Sequence, residues 1–367
     1  MNTSKPQRLL SLDTLRGFDM FWIIGGHHLF YALGEISGWG WAQWMSIQLD
    51  HVEWEGLHAY DLVFPLFMFI SGVAIPFSLM SKVTKGVPKK TLIAKVIKRV
   101  LILFSFGLIY NGGLSFDFAH LRIASVLGQI GFAYLLATLI VLNTSSFKSR
   151  LIWFVGILTG NACLQFLVPV PGFGAGLFTP EGSFNGWLDR HFMPGTLYGG
   201  SYDPEGIMCI VSAAAVTLLG SLVGEILRSK DRTACNKVYV LGASGIILLV
   251  LGVVIGQWYP IIKNIWTSSF NLVAGGISLL LLTLFYLIID VWGYQKWTFF
   301  FRVIGLNSIT IYMTVRIVSF EDLSAFFFTG TANLAGTFGP VVIFAGALTL
   351  EWLLLYFLYK KDIFLKV

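Results

Sequence analysis

Long apolar runs alternate with short charged connections along this chain. Each run is about the length of a membrane-crossing helix, which needs roughly 20 apolar residues. The runs lie at approximately 15–34, 60–80, 97–114, 123–142, 151–170, 206–227, 238–256, 268–289, 300–318 and 338–359. They predict an all-α integral membrane protein of about ten transmembrane helices, forming a single domain over 1–367. Asn307 and Arg316 interrupt the ninth run. Two connections are long, 35–59 and 171–205, and both carry Gly, Trp and charge. Connections of that length either serve a site or are disordered. So many aromatics argue for a site.

The distribution of charge tests these spans. One set of alternate connections holds 21 of the 25 Lys and Arg residues, among them Lys5, Arg8, Arg16, the cluster from Lys82 to Arg99, and Lys366. The other set holds only Arg122, Arg190, Lys263 and Arg316. Basic residues collect on cytoplasmic loops, which predicts that both termini are cytoplasmic. The opposite face is acidic and rich in tryptophan. Composition agrees, since 56% of residues are hydrophobic, 12% are charged and the mean hydropathy is +0.76. No soluble fold of this size hides so much apolar surface. The net charge of +6 therefore reads as topology, and a nucleic-acid-binding protein is excluded. Cys163, Cys209 and Cys235 form neither a metal motif nor a disulfide framework. The N-terminal stretch lacks the pattern of a cleaved signal peptide, so the first helix is expected to serve as an uncleaved one.

Ionisable residues in or near membrane helices are expensive to keep and are candidates for function. The densest group runs from Asp50 to Pro65 at the outer mouth of the second run, where His51 precedes Asp61 by ten residues. An imidazole there can take a proton from an attacking amine or hydroxyl, or attack an acyl donor itself. A carboxylate can orient it. Interfacial residues bonded to backbone are the plain alternative. His51, Glu55 and His58 also have the i, i+4, i+7 spacing of metal ligands on a helix, although Gly56 opposes a regular helix there.

Arg16 follows Asp13 at the cytoplasmic entry of the first helix and suits either a helix-end ion pair or a phosphate contact. His27 and His28 lie toward its outer end. Arg122 opens the fourth run and can pair with Asp117 or hold an anionic group. Asp203 and Glu205 precede the sixth run, where they can cap a helix or bind an ammonium or sugar hydroxyls. Asn271, Asn307 and Arg316 complete the set, and membrane Asn can simply join helices. Glu351 in the last run has no evident role, and internal pairing is expected for it.

Six stretches stand in a fixed order: Arg8–Gly17 (RLLSLDTLRG), His51–Pro65, Leu121–Gln129, Tyr202–Gly206 (YDPEG), Ile265–Phe270 (IWTSSF) and Gly305–Tyr312 (GLNSITIY). Together they resemble the transmembrane domain of the heparan-α-glucosaminide N-acetyltransferase family. The segment LRGFDMFWIIGG looks like its bacterial branch. The resemblance implies that acetyl passes from cytoplasmic acetyl-CoA to a glucosamine amine across the membrane. It places the family's essential histidine at His51 with Asp61 as acidic companion, its fourth-helix arginine at Arg122, and its D-P-E-G acids at Asp203 and Glu205.

The expected function is therefore a transmembrane N-acetyltransferase with acetyl-CoA as co-substrate and no metal. His51 and Asp61 are the catalytic pair. Asp203, Glu205, Trp54 and His27 bind the amino-sugar acceptor, and Arg16, Arg122, Asn271, Asn307 and Arg316 bind acetyl-CoA. His27 stands where lysosomal members carry asparagine. The bacterial resemblance implies an inner-membrane location, and a homodimer is compatible with it. Two other readings are an amino-sugar transporter without acyl transfer and a metal-dependent hydrolase using His51, Glu55 and His58.

Overall fold

The computed structural model describes residues 9–365, and among them the chain is helical with no strand. Lys5, Arg8 and Lys366 lie outside the described residues. Helix α1 (Leu10–Phe21) runs through a π turn into α2 (His27–Ser37), and α3 (Gly40–Gln48) follows. Long helices come next: α4 (Val63–Val83), α5 (Lys89–Tyr110), α6 (Val126–Asn143) and α7 (Phe147–Leu167). The short α8 (Phe184–Phe192) precedes α9 (Ile207–Arg228), α10 (Ala234–Ile255) and α11 (Ser268–Tyr286). The chain closes with α12 (Thr298–Leu306), α13 (Ser308–Ile317), α14 (Phe320–Leu334) and α15 (Gly339–Lys360).

Sequence explains many of the helix starts. Ser125, Ser146, Ser183, Thr233, Thr267 and Ser319 each turn a side-chain oxygen onto the backbone N–H three residues on. Such caps satisfy amides that have no partner within the helix. The bundle centres on α9, of which 78% of the apolar window is buried, whereas only 17% of that of α10 is buried. The rest of the α10 surface is left for lipid. Helices α4 and α9 touch backbone to backbone, because a Cβ at Gly72 would collide with the Thr217 carbonyl, and one at Gly220 with that of Phe69. Small residues at such a crossing are the usual device for close helix packing in lipid.

Among the described residues, seven helices are long and apolar enough to cross a membrane, or eight if α12 and α13 count as one bent span. The chain is thus a multi-pass membrane protein, but the count falls short of about ten. All ten apolar runs lie in helical segments, and three of them depart from a simple span. The first is broken at Gly25, whose φ of 136° is open to glycine and strained for other residues. The third coincides with α5, whose first half carries Lys89, Lys90, Lys95, Lys98 and Arg99. The ninth bends by 72° at Asn307. Helix α14 was not expected from hydropathy, and the two long connections contain α3 and α8. Both described chain ends meet one end of the bundle. There the Ser11 N–H donates to Asp290, and the Asn307 amide donates to the Ile363 carbonyl.

Candidate active site

At the opposite, acidic end, residues 49–62 form a loop that closes on one carboxylate. Asp61 sits in a 3-10 turn (Ala59–Leu62) and is 1% exposed. Its Oδ2 accepts the backbone N–H groups of His58 at 3.0 Å and Val52 at 3.4 Å. Its Oδ1 accepts His51 Nδ1–H at 2.7 Å and Lys263 Nζ at 3.0 Å. With Nδ1–H donating to Asp61, the neutral ring has its lone pair on Nε2, which lies 3.5 Å from Lys263 Nζ. The Asp50 carboxylate fixes the His51 N–H at 2.8 Å. Gly56 and Glu53 tie the loop to residues 261–264 through Ile261 and Asn264.

Lys263 lies 2.9 Å from His51 Nδ1 as well as touching Asp61. It completes a cation–carboxylate–imidazole group that sequence reading missed. The signal was present, since Lys263 is one of only four basic residues at the acidic end. Burial pulls its ammonium below the ordinary lysine range, against the charge of Asp61. The positive charge beside Asp61 is therefore lost at lower pH than for a free lysine. Binding or turnover at this cluster that needs this charge should fall on the alkaline side below the lysine range. Lys263→Arg, which keeps its charge, should move that fall upward by about one pH unit or more. Superimposable alkaline limbs, measured as rate against pH for both proteins, would remove the charge of Lys263 from the activity.

The second cluster is built on the 195–206 loop. Asp203 is 1% exposed and receives the Arg122 guanidinium through Nε at 2.8 Å and Nη2 at 2.6 Å. It also accepts the Tyr198 and Glu205 N–H groups. Arg122 Nη2 reaches Glu205 as well, and the guanidinium lies 4.9 Å from the Tyr198 ring. Although burial works against its charge, bonding to Asp203 and the charges of both acids hold Arg122 above its ordinary range. Burial pushes the Glu205 carboxyl up, and Arg122 opposes that push.

Asp189 on α8 supports this loop by accepting the Ile207 N–H at 3.0 Å, which caps α9. Burial pushes its carboxyl from 3.8 up to about 7, opposed by the Ile207 bond and assisted by the charge of Asp203. The folded protein therefore holds a proton that the unfolded chain releases. That contribution to stability is complete below about pH 4 and disappears as pH rises through about 7. Asp189→Asn does not ionise, so its stability relative to the parent should improve by about 2 kcal/mol between pH 5 and pH 8. Parallel curves of melting temperature against pH would contradict this.

One cavity of about 670 Å³ joins the two clusters, and His51, His27, Arg122, Glu205 and Lys263 all line it. It extends past Tyr60, Tyr110 and Tyr312 to Met20, Ile130 and Ile309 within the bundle. On α1 and its continuation the lining residues are Met20, Ile23 and His27, and Arg16 lies one turn beyond Met20 on the same face. Tyr60 stands between the two histidines, with its ring 4.9 Å from each.

The other expected site residues lie elsewhere. Asp61 is behind His51, and Asp203 is behind Arg122. The Trp54 indole donates to the Phe178 carbonyl and its ring meets Tyr202, joining the two long loops. Arg16 pairs with Asp13 at 3.2 Å. Asn271 is buried against Ser212 and the Trp266 and Thr267 carbonyls. Asn307 holds residues 363–365, and Arg316 donates to the Tyr110 carbonyl. His51, Glu55 and His58 do not share a helical face, because 51–58 is a loop. Among the described residues, no three His, Cys, Asp or Glu side chains gather as a metal-binding set.

Residues 8–140 match a family described as a domain of unknown function, DUF5009. The chain is 29% identical to the human protein named heparan-alpha-glucosaminide N-acetyltransferase, over 99% of its own length and 60% of the relative's. The mouse protein of the same name is also 29% identical, over 99% of this chain and 61% of its own. This chain thus spans about three-fifths of the length of these curated relatives. The similarity to heparan-alpha-glucosaminide N-acetyltransferase read from six separate motifs therefore extends over nearly the whole chain, and the His51 and Arg122 clusters both fall within it.

Proposed function

We propose that the chain is a membrane acetyltransferase that carries acetyl from cytoplasmic acetyl-CoA to the amine of a glucosamine-type sugar on the other side. The observation carrying this reading is the shared cavity. Both Glu205 and the Asp61-bonded His51 line it, and Met20, its lining residue on α1, lies one turn from Arg16. The basic loops mark the cytoplasmic end, by the bias of Lys and Arg toward that side. The N-acetyltransferase names of the two relatives support the reaction class.

In this reading Glu205 receives the acceptor's ammonium or hydroxyl groups, with Tyr198 and Tyr202 alongside. His51 Nε2 takes a proton from the amine as its nitrogen bonds to the thioester carbonyl carbon. The carbon–sulfur bond then breaks, and the proton passes to the departing thiolate, giving the amide and free CoA. Asp61 keeps the ring in the tautomer that can accept, and Lys263 keeps Asp61 ionised. Transient acetylation of His51 would use the same Nε2 lone pair.

The test is reconstitution in sealed vesicles, with acetyl-CoA on one side and glucosamine on the other. Acetylated sugar should form only when acetyl-CoA has access to the basic-loop end. Glucosamine uptake without acetyl-CoA, and without any acetylated product, would instead establish an amino-sugar transporter.

A further inference from the structure

A second recess, of about 370 Å³, lies across the α1–α2 break from the cavity lined by His51. The two share only Ile23 and His27 among their lining residues, with Gly25 between these in the chain. Its wall mixes apolar residues, including Ile24, Phe320, Phe344 and Leu348, with polar ones. Glu351 on α15 also lines it. This residue is 4% exposed, and among the described residues its buried Oε2 has no hydrogen-bond partner. The sequence led us to expect internal pairing for Glu351, and none of the charged groups around the recess supplies it. His28 from α2 is paired with Glu321 from α14 at 2.9 Å, and both are about half exposed at the rim. Arg316 from α13 directs its Nε to the Tyr110 carbonyl and its guanidinium over the Tyr110 ring.

A carboxylate buried in a membrane protein is costly without a counter-charge. Glu321 is met by His28 and Arg316 is directed to Tyr110, which leaves the Glu351 carboxyl as the acid of the recess without a partner. Its volume is at the lower end of small-molecule sites. We propose that it is a second binding site, for a ligand bearing a primary ammonium, distinct from the cavity of His51. Glu351 receives the ammonium at the base. Arg316 and Ser319, which also line the recess, meet the ligand's hydroxyl or phosphate oxygens. Two sources carry this chemistry, a soluble amino sugar and the headgroup of an aminophospholipid.

The test is equilibrium binding of radiolabelled glucosamine to the purified full chain in detergent, together with mass spectrometry of co-purified phosphatidylethanolamine. If the source is soluble, Glu351→Gln should remove one bound equivalent of glucosamine, with affinity weakened tenfold or more, and N-acetylglucosamine should not compete for it. If the source is lipid, phosphatidylethanolamine should co-purify with the parent and be lost from Glu351→Gln. Leu348→Trp, which keeps the carboxylate but fills the recess, should give the same loss and guards against misfolding of the first variant. Unchanged glucosamine stoichiometry and unchanged lipid retention in both variants would overturn the proposal. His51→Ala should leave this equivalent in place, so a failure of the acetyl-transfer reading would not be mistaken for a failure of this one.

Discussion

His51→Ala should lower acetyl transfer from acetyl-CoA to glucosamine by about a thousandfold or more, while the melting temperature of the purified protein stays within a degree or two of the parent. The two halves of this expectation have separate causes. A positioned general base contributes about 10²–10⁴ in rate, and a nucleophilic role would make the loss larger. The stability half follows from exposure, since half of the His51 side chain faces solvent and the two charged groups at its Nδ1, Asp61 and Lys263, also bond to each other. Asp61 retains Lys263 and two backbone N–H groups when the ring is removed. The carboxylate is therefore not orphaned. Asp61→Asn should also lose most of the activity, because an amide can present its NH₂ to Nδ1 and reverse the tautomer. Unlike His51→Ala, it should lower the melting temperature, since Lys263 then loses its counter-charge. Retention of full transfer by His51→Ala in folded protein would remove this histidine from the reaction.

The membrane class and the helical segments were legible because hydropathy reports directly on which backbone must hide in lipid. The count was harder to read, and the reasons are local. Gly25 permits a break that only its φ reveals, and the basic half of α5 dilutes an otherwise apolar run. Helix α14 has Phe-rich turns mixed with Glu321, Asp322 and several small polar residues, so no long apolar window marks it. Within the site, the His51–Asp61 pair was readable because both lie in one short loop. Lys263 was not, because it is 202 residues from Asp61 and only the fold brings them together. Asp203 and Glu205 look alike in sequence, yet their roles divide. Asp203 is fully committed to Arg122 and two amides, whereas Glu205 lines the cavity. Trp54 was expected to bind the acceptor, and its indole donates to the Phe178 carbonyl, which joins the two long loops.

Arg122→Ala should be the most destabilising single change in this site, by about 3–5 kcal/mol. The guanidinium side chain is 20% exposed and holds Asp203 and Glu205, whose side chains are 0% and 11% exposed. Truncating it leaves two buried carboxylates facing each other across a two-residue spacing. One or both must then take up a proton, or the loop must open. Opening would reach well beyond the site. Asp203 also accepts the Tyr198 amide, the Arg122 backbone pairs with Gly195, and the Asn111 amide holds the Arg122 carbonyl. Arg122→Lys should recover only part of the loss, because a single ammonium does not reproduce the fork that reaches both acids at once. A triple replacement supplies the decisive comparison. If the damage comes from stranded charge, adding Asp203→Asn and Glu205→Gln to Arg122→Met should restore a large part of the stability lost in Arg122→Met alone. Activity should remain low, because the acceptor side of the cavity would have lost its carboxylate. If thermal unfolding instead shows the three changes adding independently, the cluster does not act as a unit, and the stability of this loop must lie in its backbone contacts.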